Sequence, residues 1–298
     1  MKNLGWLFYR DYFDFKSIKK SIETDGVTEE SLFEIKNQRI SGESFVVNDI
    51  IKVVGNNDLI KLKTTYPGLL SGSGVTHETG SLGELKLGFC FDYTTGLPYL
   101  PGSTIKGNLR HVFPNRLRLQ ASREKKPKNK VGLQTKADAL QSYCCDYLFK
   151  EKLSISITPK QLLQFEWMVF EGKRIDNLDE IIVEDGFHFS KIKTSSLPIY
   201  ESDIFHDAYI DTANATNKIL GNDFITPHDK PLKNPIPIQF LKVLPEVTWA
   251  FQFDLKDTKL PDGLTITAAH KLTLFRQILL DLGIGAKTNV GYGQLKPA

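Results

Sequence analysis

The stretch Leu97–Arg110, LPYLPGSTIKGNLR, is where the fold of this chain can be read. PGSTIKG opens a helix: Ser103 or Thr104 can cap its first turn by accepting from a free backbone N–H, and the helix ends by Pro114. Lys106 and Arg110 stand four apart and share one face of it. A second stretch, Gly283–Gly293 (GIGAKTNVGYG), leaves a helix and enters a strand, with Gly283 as the C-cap. Each stretch joins small residues, which expose backbone N–H groups, to a lysine and a hydroxyl. That equipment holds phosphates without reading bases.

Working outward, Leu59–Tyr66 alternates apolar and polar residues as a strand does. Pro67 and the loop Ser71–Gly83 (SGSGVTHETGSLG) follow, then a second extended run over Glu84–Asp92. Beyond the Lys106 helix, a basic loop fills positions 114–136. Ala137–Lys150 returns to helical spacing, with Leu140, Cys144, Tyr147 and Leu148 inward. Thr158-Pro159 starts the next helix and Gly172 stops it. Residues 173–235 are loop-rich, with short strands near Leu197–Tyr200 and Phe205–Ile210. Ile236–Leu244 and Thr248–Lys256 are expected to pair as a hairpin, with Trp249, Phe251, Phe253 and Leu255 on one face. Ala268–Leu282 is the clearest helix, burying Leu272, Phe275, Leu279 and Leu282, and Val290–Leu295 is the last strand.

Strand, helix, two strands, helix, strand is the order of an α+β, ferredoxin-like (RRM-like) domain, here with long insertions at about 114–136 and 173–235. The expected organisation is a single domain over 1–298, with residues 1–57 an N-terminal extension and 58–298 the core. In that extension Thr28 can cap a helix running to about Lys36. The aromatic group Trp6, Phe8, Tyr9, Tyr12, Phe13 and Phe15 reads as a packed edge of the core, with base stacking the alternative.

With 298 residues, 41% apolar and 24% charged, the chain can bury a sizeable core and is not disordered throughout. It has no apolar run long enough to span a membrane, and its first residues lack the pattern of a secretory signal. Cys90, Cys144 and Cys145 form neither a zinc knuckle nor a disulfide ladder, so free thiols in a reducing cytoplasm are expected. The net charge of +3 is unevenly spread. Positions 114–137 hold eight Lys or Arg (Arg116, Arg118, Arg123, Lys125, Lys126, Lys128, Lys130 and Lys136) against the one Glu124, a local +7 that leaves −4 for everything else. A basic arm on a mildly acidic body suits contact with a phosphate backbone, whereas a merely solvated loop is the plainer reading.

Familiar nucleotide and metal motifs fail. A Walker loop requires glycine where Ala286 stands and follows a strand rather than a helix, and Thr288 holds the third glycine position of GxGxxG. The six histidines (His77, His111, His188, His206, His228 and His270) show no helical or metal-ligand pairing. Asp203, His206 and Asp207, and likewise Asp223, His228 and Asp229, are expected as turn and capping residues rather than metal ligands. No cofactor is expected.

These stretches carry a family resemblance. LPYLPGSTIKGNLR resembles the strand-to-helix signature of the RAMP superfamily, the RNA-binding proteins of CRISPR effector complexes, and GIGAKTNVGYG resembles its C-terminal glycine-rich loop. DIFHDAYI (203–210), DFITPHD (223–229) and NPIPIQFLKVLPEVTWAFQFDL (234–255) are similar to the sixth-subunit family of the type III-B, or Cmr, complex. The resemblance covers roughly 60–296 and implies a palm-like sheet with a protruding thumb built from an insertion, whose location the pattern leaves open. It implies that the two motifs converge in one cradle for the guide RNA backbone. The residues implied are Gly102, Ser103, Thr104, Lys106 and Arg110, with Gly285, Lys287, Thr288, Asn289 and Tyr292.

The implied function is a non-catalytic RNA-binding subunit that holds the guide near its 3′ end and the guide–target duplex, in antiviral RNA interference. The implied partners are the CRISPR guide RNA, the target RNA and other Cmr subunits: the repeated RAMP backbone subunit, the small helical subunit and the 3′-end RAMP subunit. In the resembling complexes the repeated subunit cuts target RNA with an Asp in the loop after its first strand. Here Ser71–Gly83 has no Asp and offers His77 and Glu78 instead, which argues against carrying cleavage over. A RAMP-fold endoribonuclease acting on guide precursor or target is the rival reading.

Overall fold

A computed structural model describes residues 3–14, 19–20, 22–24, 26, 28–44, 58–74, 76, 83–86, 88–183, 186–187, 192–225 and 237–298. Helices α1 (Leu4–Tyr9) and α2 (Glu29–Gly42) precede the first strand, β1 (Asp58–Thr64). β2 (Tyr99–Leu100) leads straight into α3 (Gly102–Arg110). Then come α4 (Asn115–Arg123) and α5 (Pro127–Ser142), which continues with wider π-helical turns over Tyr143–Lys152. α6 (Pro159–Glu171) is followed by short elements: β3 (Lys173–Ile175), α7 (Leu178–Ile181), β4 (Ile182–Val183), β5 (Gly186–Phe187), β6 (Thr194–Ser196) and β7 (Ile204–Phe205). The longer strands β8 (Ala208–Thr212), β9 (Leu220–Ile225), β10 (Ile238–Val243) and β11 (Thr248–Asp254) come next. The chain closes with β12 (Thr258–Lys259), β13 (Thr265–Ile266), α8 (Ala268–Leu282) and β14 (Leu295–Pro297).

The main sheet runs β14-β1-β11-β8-β2 with every pair antiparallel, and β7 adds to β11. Along the chain four of its strands and two helices follow as β1, α3, β8, β11, α8 and β14, the expected ferredoxin-like order. β11 is central because both its faces are apolar enough to bury. Trp249, Ala250, Phe251 and Phe253 are all buried, and Ile60 and Leu62 of β1 pair opposite Phe251 and Trp249. α8 lays Leu274, Phe275, Ile278 and Leu279 into this core, whereas Leu282, expected inside, is 38% exposed at the helix end.

Helix punctuation follows the side chains. Thr158 and Gln161 form a capping box at the start of α6, and Gly172, left-handed at φ 61°, ends it. Thr267 with His270 does the same for α8. Thr28 caps α2, which runs past Lys36 to Gly42 because Lys36, Asn37 and Ile40 are buried, Asn37 bonding Gln239 of β10. The aromatic N-terminus packs inward: Phe8 meets Phe91 at 5.0 Å and Tyr12 meets Phe33 at 5.2 Å. The Tyr12 hydroxyl donates to Asn37 Oδ1 and accepts from the Leu85 N–H. Phe15 lies outside the described residues.

Five expectations are corrected. No strand forms among the described residues of Glu84–Asp92, and the last strand is Leu295–Pro297 rather than Val290–Leu295. The basic stretch 114–136 is a helical hairpin, not a loop. Lys, Arg, Gln and Ala favour helix, and each helix buries an alanine, Ala121 on α4 and Ala137 on α5. Arg118 clamps the pair by donating to Gln141 Oε1 at 2.5 Å and Asp138 Oδ1 at 3.3 Å. β10 and β11 do not pair with each other. β10 pairs β9, while β11 joins the main sheet. The Thr64 hydroxyl sits between their ends, donating to the Leu244 carbonyl and accepting from the Val247 N–H, and Glu246 turns the chain at φ 65°. Lastly, Leu197–Tyr200 is not a strand: Thr194–Ser196 pairs with β3, and Ile199–Glu201 is a 3-10 turn.

Candidate nucleic-acid interface

The two glycine-punctuated motifs meet. Asn108 Nδ2, on α3, donates to the Gly283 carbonyl at 2.8 Å, joining positions 175 residues apart. Beside this bond lies a cleft of about 630 Å³. One wall is the α3 face Thr104, Gly107, Asn108 and His111, at i, i+3, i+4 and i+7. The other is Leu282–Ala286 with Thr288, and Ser71–Ser73 supply the floor. His111 is its one ionisable lining side chain among the described residues, and no carboxylate lines it.

Glycine is obligatory where backbones cross. Gly285, at φ 100°, would place a Cβ 2.2 Å from the Leu70 carbonyl oxygen, and Ala286 N–H donates to that oxygen at 2.8 Å. A Cβ on Gly293 would lie 1.9 Å from the Ile284 oxygen, and the Ile284 N–H donates to the Gly293 carbonyl. The loop is thereby fastened to 68–70, and the turn that follows is left projecting. Lys287 is held left-handed at φ 59°, exposed, ahead of the 3-10 turn Thr288–Val290. Among the described residues no partner takes the N–H groups of Gly285, Lys287 or Thr288. Successive unpaired N–H groups in such a turn make a concavity suited to an anion.

A family model for the RAMP superfamily matches residues 61–296. The chain belongs to the RAMP superfamily. It is similar to the CRISPR system Cmr subunit Cmr6 of Pyrococcus furiosus, 27% identical over 218 residues that cover 67% of this chain and 58% of that protein. It therefore spans under two thirds of that relative's length. Among solved structures, the type III-B Cmr-beta complex bound to cognate target RNA matches at 20% identity, over 80% of this chain and 57% of that one, with a TM-score of 0.44. The crystal structure of Cmr6 from Pyrococcus furiosus matches at 25% identity, over 80% and 96%, with a TM-score of 0.35.

Of the residues read from this RAMP sequence, Thr104, Gly285 and Thr288 line the cleft, and Lys287 and Asn289 are exposed on the turn beside it. Ser103 is exposed but on another face of α3, which it shares with Lys106 and Arg110. Lys106 Nζ lies 5.5 Å from the Phe205 ring centroid, a cation–π contact away from the cleft. Arg110 pairs with Glu166 at 3.5 Å and with Glu171. Desolvation pushes Glu166 up to about 7, against the opposing pull of Asn115 and Arg110.

Gly102 is buried, and its N–H is taken by Asp207 Oδ1 at 2.7 Å, so a carboxylate already fills the anion position at that helix end. Neither Ser103 nor Thr104 caps α3; Pro101 is the N-cap, without a side-chain bond. Tyr292 is 7% exposed, edge-on to Phe240, with its hydroxyl donating to Asp223 Oδ2 at 2.8 Å, so it pins the loop rather than stacks. Burial and that bond raise its pKa.

Other carboxylates are likewise committed. Asp203 accepts from the buried Lys271 ammonium and the Lys256 N–H, and Asp223 holds Lys242. Despite partial desolvation, the bonds from Lys242 and Tyr292 keep Asp223 below the usual carboxylate range. His77, Glu78, His188, His228 and Asp229 lie outside the described residues. Asn108 and His111 were missed as cleft residues, although their spacing from Thr104 was the available signal. Among the described residues, no helix is long and apolar enough to cross a membrane.

Proposed function

We propose that this chain is a non-catalytic RNA-binding subunit of a type III-B CRISPR effector complex, holding the guide RNA through its sugar–phosphate backbone. The observation that carries the reading is the joined cleft. Two motifs far apart in sequence are hydrogen-bonded, present hydroxyl, amide and backbone N–H donors with no carboxylate opposing them among the described residues, and set Lys287 beside the cleft. Such donors bind phosphate and sugar oxygens and leave base edges unread, so selectivity resides in guide pairing. The similarity to a Cmr subunit and the RAMP membership support this assembly, with the repeated RAMP subunit, the small helical subunit and the 3′-end RAMP subunit as neighbours and the guide–target duplex as cargo. Cutting is assigned to a neighbouring subunit: His111 is exposed in the cleft and, among the described residues, no acidic side chain lines the cleft beside it to complete a proton-transfer pair.

The test compares single variants in RNA binding across a salt series. Lys287→Ala is expected to weaken binding and flatten the plot of log affinity against log salt by about 0.7 for one lost single-strand contact. Lys106→Ala, on the other face of α3, should leave the slope nearly unchanged. Equal slopes for Lys287→Ala and the unaltered protein would refute the cleft. RNA cleavage by the purified chain that His111→Ala abolishes would refute the non-catalytic role.

A further inference from the structure

The geometry points to a second RNA-contact surface: the helical hairpin α4–α5 is a cationic arm that grips the phosphates of the RNA strand leaving the cleft. This rests on the reading of the cleft as an RNA site, and adds a separate surface with its own chemistry.

Three observations carry it. First, every cation of the run except Arg118 is exposed, and among the described residues none of these exposed cations is in an ion pair. Arg118 is spent on Asp138 and Gln141, and Glu124 is turned back onto the Lys126 N–H. Lys126 and Lys130 therefore stand at i, i+4 with no opposing charge between them, an arrangement that repels itself until an anion arrives. Secondly, the charge is displayed on a formed scaffold. Ala121 and Ala137 are buried and Arg118 ties α4 to Asp138 and Gln141 of α5, so the backbone that carries the cations is set before binding and less backbone freedom remains to be lost.

Thirdly, both ends of the arm are fastened to the cleft walls. His111 lines the cleft, and α4 begins four residues later, after the buried Val112, Phe113 and Pro114. On the return, Tyr143 donates to Asp281 at 2.7 Å, and Gln277 donates to Tyr147 at 3.2 Å. Asp281 adjoins Leu282 and Gly283, which line the opposite wall. The arm thus rises beside the cleft, and α5, about 24 Å long at 1.5 Å per residue, can follow several phosphates. The rest of the chain sums to −4, so the arm is also where a polyanion meets least repulsion.

The experiment uses the full chain, with Lys125, Lys126, Lys128 and Lys130 all changed to Gln in one variant and to Arg in another. Binding of a labelled single-stranded RNA of mixed sequence is measured across a salt series, alongside Lys287→Ala. Helix content by circular dichroism checks that the arm stays folded. The Gln variant is expected to bind about tenfold or more weakly at low salt, with a slope shallower by about two to three, and the Arg variant to bind as the unaltered protein does. An unchanged slope in a folded Gln variant, with Lys287→Ala still impaired, overturns the arm and leaves the cleft reading standing. An impaired Gln variant with a normal Lys287→Ala overturns the cleft reading and, with it, the path of a strand from cleft to arm, while an impairment of both variants upholds the inference. If the Gln variant keeps RNA binding but loses binding to polyglutamate, the arm docks an acidic protein and the inference falls.

Discussion

Gly285→Ala tests the glycine loop most directly. The residue sits at φ 100°, outside what L side chains adopt readily, and its added Cβ would stand 2.2 Å from the Leu70 oxygen. A non-glycine residue in such a region costs about 1–3 kcal/mol. Relieving the clash moves Ala286 off Leu70, and the 2.8 Å bond it makes there contributes about another 0.5–1.5 kcal/mol. The expected loss is therefore about 2–4 kcal/mol, a large part of the 5–15 kcal/mol typical of a folded domain, but survivable. Gly132→Ala is the control. Gly132 lies within α5 with no atom near the added Cβ, so alanine should stabilise it by about 0.5–1 kcal/mol. Urea unfolding of the two variants beside the unaltered protein should separate them by about 3–5 kcal/mol, with Gly285→Ala also weakening RNA binding. If Gly285→Ala unfolds within 0.5 kcal/mol of the unaltered protein, roughly the scatter of a neutral surface change, the loop is not locked on Leu70 and the cleft geometry argued from it fails.

Two further outcomes follow from buried charge. Glu166 is pushed up to about 7 by burial, above its ordinary 4.5, so the folded state holds its proton more tightly and stability falls as pH rises from 4.5 to 7. The drop should reach about 3 kcal/mol and then level off, and Glu166→Gln should flatten it in denaturation curves taken across that window. Lys271→Met strands the Asp203 carboxylate in the core and should cost about 3–5 kcal/mol at neutral pH, shrinking as acid protonates Asp203; a neutral effect would mean water reaches the pair.

The fold was legible wherever local chemistry and burial agreed. Thr28, Thr158, Thr267, Gly172 and Gly283 marked helix ends because caps act within a few residues of themselves. The pairing of β10 was not legible. Two strands joined by Leu244–Val247 look like a hairpin from spacing alone, and the Thr64 hydroxyl that parts them comes from about 180 residues earlier. The helical arm was misread for a related reason. Eight cations in one stretch look like a solvated loop, and the bonds that join α4 to α5, from Arg118 to Asp138 and Gln141, span about twenty residues of sequence that the charge pattern hides.

The site was legible as a pair of motifs, but not as a set of side chains. Charge drew attention to Lys106 and Arg110, yet a helix face is chosen by what its neighbours bury. Ile105 and Leu109 face the core, which leaves Thr104, Gly107, Asn108 and His111 to front the glycine loop. Arg110 is drawn to Glu166 and Glu171, and Lys106 to the Phe205 ring. A neutral face is the better wall for a backbone cradle: amide and hydroxyl donors are directional and fix a phosphate in place, while a lysine on its flexible stem attracts one from many positions. Positioning and attraction are then separate demands. On the proposed reading the cleft meets the first with fixed donors and the arm beside it meets the second with its exposed lysines, so that a chain of small net charge would suffice to hold a polyanion.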